Sequence, residues 1–62
     1  MHEHEPLRLR NCPYKVSVNW EVIDAFYDIR AAIAFARAAK ARKPDHAVMV
    51  CDELSGRIIV KI

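Results

Sequence analysis

The sequence predicts an α+β fold, a small single-layer β-α-β-β domain in which a three-stranded sheet carries one helix on one face. Three observations predict it. Tyr14, Val16, Val18, Trp20 and Val22 alternate with Lys15, Ser17, Asn19 and Glu21, a period of two that is rich in strand formers. "DIRAAIAFARAAKARKP", Asp28 to Pro44, has the composition and ends of a helix. "AVMVC" and "RIIVKI" then flank "DELSG", a turn holding the only glycine of the chain.

Each element has its own justification. Residues 1–12 show no period and are expected to form a flexible tail, leaving residues 13–62 as a single domain. Strand one runs from Tyr14 to Val22 and buries its odd partners' neighbours, Tyr14 through Val22 on even numbers, with Trp20 among them. On that reading Trp20→Ala is a core deletion costing ~3–5 kcal/mol. "IDAFYD" breaks the alternation and reads as a bulge or bend leading to an N-cap at Asp28.

The helix then spans Ile29 to about Lys43, with Ile29, Ala32, Ile33, Ala36 and Ala39 on its buried side and Phe35 at the margin. Asp28 at its start and Lys40, Arg42 and Lys43 at its end complement the helix dipole, and Pro44 stops it. A competing pattern, Val22, Phe26, Ile29, Ile33 and Ala36, would start the helix near Asn19. That helix would be about 36 Å long at ~1.5 Å per residue, too long for the strands beneath it. In the last strand Ile58, Val60 and Ile62 alternate with Arg57, Ile59 and Lys61. Strands two and three form a hairpin. Strand one beside strand three gives the preferred antiparallel order 2-3-1; beside strand two it would need a parallel crossover.

Size bears on function. The 62 residues are 53% hydrophobic, enough for a core, but so short a chain commonly gains stability from a staple or a second subunit. The helix carries seven alanines between Asp28 and Pro44, more than one buried face can use. Ala31, Ala34, Ala38 and Ala41 share a second stripe, which suits a close helix–helix contact as well as simple helix propensity. Arg30 and Arg37 border it, one heptad apart. With Val48 and Val50 turned to the helix, Met49 and Cys51 face outward beside Ile59, on a sheet face with no cover. "AVMVC", without charge or proline, would also serve as an unprotected edge. These surfaces point to a homodimer or a protein partner, and so to a non-catalytic interaction or accessory module of bacterial cytoplasmic type.

Chemical parts are few. His2, Glu3, His4 and Glu5 lie in the tail, and His46, Cys12 and Cys51 have no metal-ligand spacing, so no specific metal is expected. With no secretory signal or membrane-spanning run, the two cysteines are expected as free thiols. The only serines are Ser17 and Ser55, neither beside a His–acid pair, and no glycine-rich loop offers a phosphate cradle. No enzyme and no cofactor are expected. Nucleic-acid binding is the alternative from another class, through Arg30, Arg37, Lys40, Arg42 and Lys43, helped by Arg8, Arg10, Tyr14 and Tyr27. The net charge of +2 does not by itself imply a polyanionic partner, and against this reading the basic positions are spread around the helix with no recognised nucleic-acid-binding motif. In size and expected element order the chain is similar to dodecins, small proteins whose assemblies hold flavin. That likeness implies a third function, a flavin-like ligand store, with Trp20 as a possible platform.

Overall fold

The computed structural model describes residues 12–62. It is an α+β domain with β1 (Tyr14–Val18), β2 (Glu21–Phe26), α1 (Ile29–Arg42), β3 (Val48–Asp52) and β4 (Arg57–Lys61) in chain order. The sheet is antiparallel throughout, ordered β2-β1-β3-β4, with α1 packed on one face. The expected α+β class and single helix are present; the three-stranded sheet in order 2-3-1 is not. The helix begins at Ile29 behind an Asp28 cap, which removes the start near Asn19. The β-β-α-β-β order also removes the element order on which the likeness to dodecins rested.

The difference lies at two residues. Asn19 and Trp20 have φ of 52° and 73° and form a two-residue loop closing the Val18–Glu21 pair, the signature of a type I′ hairpin. What reads as one strand from Tyr14 to Val22 is therefore two strands and the turn between them. Trp20 lies at the tip, 74% exposed, and is not a core residue. The topology follows from this hairpin. It reverses the chain before α1, so that after the helix β3 runs antiparallel to β1 and pairs with it along Tyr14–Asp52, Val16–Val50 and Val18–Val48. Without the hairpin the same helix would have returned the chain parallel to β1.

The core lies between α1 and the sheet. Val16, Val48 and Val50 meet Ala32 and Ala36, with Tyr14, Val18, Phe26, Ile33, Val60 and Ile62 around them. Ile29, Ala32, Ile33, Ala36 and Ala39 are all buried or half-buried, as the helical period requires. "RIIVKI" departs from simple alternation: a bulge between its pairings with Val50 and Cys51 leaves Val60 and Ile62 on the core, while Ile58 pairs with Cys51 and is exposed.

The other sheet face carries Lys15, Ser17, Ala25, Met49 and Cys51, set side by side by the pairings Lys15–Ala25, Lys15–Cys51 and Ser17–Met49. Met49 is only 3% exposed, and Lys15 and Ser17 are buried too. "AVMVC" lies in an interior strand flanked by β1 and β4, so it is not an edge. The buried Lys15 ammonium is balanced by Glu53, 3.0 Å away. No helix among the described residues is long and apolar enough to cross a membrane.

Candidate functional site

An open cleft of about 240 Å³ is lined by Val18, Ile23, Phe35, Ala39, Arg42, Lys43 and His46. Its parts come from β1, β2, α1 and the loop that follows the helix. Phe35, Ala39 and Arg42 follow one another at four- and three-residue spacing, so they share a stripe of α1. Val18 ends β1. Ile23 is the extra residue of β2, unpaired in the register between Val22–Ser17 and Asp24–Val16, and the bulge brings it to the wall of the cleft. Phe26 sets the Phe35 ring, with centroids 5.3 Å apart and planes tilted by 49°.

Four hydrogen bonds fix the rim. Asn19 N–H donates to the Ala47 carbonyl at 2.7 Å, and Ala47 N–H donates to Asn19 Oδ1 at 3.0 Å. Asn19 therefore tolerates the left-handed turn and ties the β1–β2 tip to the loop after α1. From the helix, Lys40 Nζ donates to the His46 carbonyl at 2.8 Å. Within the loop, His46 N–H donates to the Lys43 carbonyl at 3.0 Å.

The basic residues at the helix end thus separate. Lys40 is spent on the loop, while Arg42 and Lys43 line the cleft without an ion-pair partner among the described residues. The C-terminal dipole of α1 contributes about half a negative charge here, and two cations more than offset it. The cleft is an apolar floor under a positive rim.

The other residues singled out from the sequence take several places. Ala31, Ala34, Ala38 and Ala41 are exposed, as are Arg30 and Arg37. Arg37 and Arg42 lie about 140° apart around the helix at ~100° per residue, so the basic side chains do not form one phosphate-binding face. Of the sheet residues, Ile59 is exposed, Cys51 is half-buried and Met49 is buried, so the three do not form an accessible patch. Cys12 and Cys51 are both free thiols, and Cys12, expected to end the tail, is buried. His2, Glu3, His4, Glu5, Arg8 and Arg10 lie outside the described residues. Among the described residues, no three His, Cys, Asp or Glu side chains gather to hold a metal ion.

Sequence reasoning missed Val18, Ile23, Phe35 and His46 as one site. Phe35 at the helix margin was one available signal, and the broken alternation that begins at Ile23, read as a bulge or bend, was another. Compared with models of known protein families, with curated proteins and with solved structures, the chain matches none.

Proposed function

We propose that this chain is a non-catalytic interaction module that associates with itself, a pair of chains being its smallest assembly. The observation that carries the reading is that Ile23 and Phe35, both exposed, line one cleft, while Trp20 and Val22 are exposed in and beside the β1–β2 turn at the same end of so small a domain. Exposed apolar surface of this kind marks contact sites in soluble proteins. Trp20 adds weight, because a bulky residue at positive φ is an energetic liability that folding alone does not require.

The exposed alanine row supports the same reading by offering a smooth second surface. At about 240 Å³ the cleft falls below the ~300–1,000 Å³ usual for small-molecule sites and suits a side chain better than a flavin. Sedimentation equilibrium at two well-separated concentrations tests the proposal. An average mass above 7.1 kDa that grows with concentration is expected. A 7.1 kDa species at both overturns it. Binding to random-sequence RNA that collapses with added salt would transfer the rim to the nucleic-acid reading.

A further inference from the structure

The cleft asks for an apolar side chain accompanied by negative charge, and the far end of the same chain presents one. Leu54 is 87% exposed, the most exposed large hydrophobic residue described, and Asp52 and Glu53 precede it. The turn that bears it is firmly held. Leu54 N–H donates to Asp52 Oδ1 at 3.0 Å and Gly56 N–H to the Asp52 carbonyl at 2.8 Å. Glu53 N–H donates to the Pro13 carbonyl at 2.9 Å, and Arg57 N–H to Ser55 Oγ at 3.3 Å. Gly56, at φ 74° with nothing within 4 Å of a Cβ, is required by its backbone conformation alone. The knob is therefore ordered before any partner arrives, which lowers the cost of binding.

Strand direction places knob and cleft apart. β1 runs from Tyr14 to Val18, and β3 returns from Val48 to Asp52. Val18 and the end of α1, with the cleft, lie at one end; the β3–β4 turn lies at the other. One chain cannot fill its own cleft with Leu54. A second copy can.

We propose that copies of this chain associate head to tail, Leu54 of one seated in the cleft of the next, with Asp52 and Glu53 facing Arg42 and Lys43. The proposal rests on the reading of the chain as a self-associating module and names the contact. Size agrees, since an apolar cavity of ~150 Å³ already holds a benzene-sized group. Charge agrees as well: the Asp52 carboxylate, with Glu53 beside it already paired to Lys15, meets two cations that lack ion-pair partners among the described residues. Because the two surfaces differ, the contact is heterologous and extends into a ring or an open chain instead of stopping at a pair. The sheet edges are poorer candidates. Both β2 and β4 are bulged, and β4 set against itself would oppose Arg57 and Lys61 with no acid between them.

The test uses two exposed-site variants, Leu54→Ser and Arg42→Glu, each checked for an unchanged circular-dichroism spectrum and studied by light scattering. The wild type should grow past twice 7.1 kDa with concentration, and each variant alone should remain at 7.1 kDa. Mixed one to one, they should form a single 1:1 pair, since the Arg42→Glu chain keeps its knob and the Leu54→Ser chain its cleft. A mixture that stays monomeric overturns the proposal. So does a wild type fixed at a pair that neither variant disrupts, although that result leaves self-association standing. A monomeric wild type overturns both.

Discussion

Asn19 and Trp20 decide the architecture between them, and their contributions differ. Asparagine is among the few residues with ready access to the left-handed region, and here its side chain also clamps Ala47. Tryptophan has no such access, and nothing in its 74% exposed position repays the conformation through burial. Trp20→Gly should therefore stabilise the isolated domain by about 1 kcal/mol. The measurement is a urea midpoint that rises with the slope unchanged. A fall of 3 kcal/mol or more would mean that Trp20 packs as the period-two pattern implied. Strain retained at an exposed aromatic is what the proposed self-association would account for at the residue scale.

At the scale of elements, the surplus alanines have two explanations, one for each side of α1. Ala32 and Ala36 have no exposed surface and sit against Val16, Val48 and Val50, so their smallness sets how closely the helix approaches the sheet. Ala34 is exposed and free of that constraint. Ala36→Leu should destabilise by ~1–3 kcal/mol or more through overpacking, while Ala34→Leu stays within about 0.5 kcal/mol in dilute solution. Equal thermal-melting losses would contradict this division. The helix was legible because its cap, period and stop agree: Asp28 Oδ1 accepts from Arg30 N–H, and Lys43 closes the C-terminus. The first hairpin was not legible, because its turn lacks glycine and Trp20 continues the alternation of Val16 and Val18 without a break. The bulge at Ile59 was hidden, since an added residue there changes the facing of neighbours without changing composition, whereas the one at Ile23 showed as the break in alternation that opens "IDAFYD".

At the scale of the molecule, the charge pattern is polar in the geometric sense. Cations without an ion-pair partner among the described residues and an apolar floor occupy one end, and an acidic turn with an exposed leucine occupies the other. The sequence made the second half of this visible as "DELSG" but could not show the first, whose residues are scattered from Val18 to His46 and meet only through β2's bulge and Asn19's clamp. The most direct test follows backbone amide shifts by NMR over a dilution series of the wild-type protein. The amides of Val18, Ile23, Ala39 and His46 should move together with those of Glu53 to Gly56 as association proceeds, while the exposed alanines of α1 stay still. Shifts confined to Ala31, Ala34, Ala38 and Ala41 would contradict the head-to-tail contact while leaving self-association standing, and no shifts at all would contradict both.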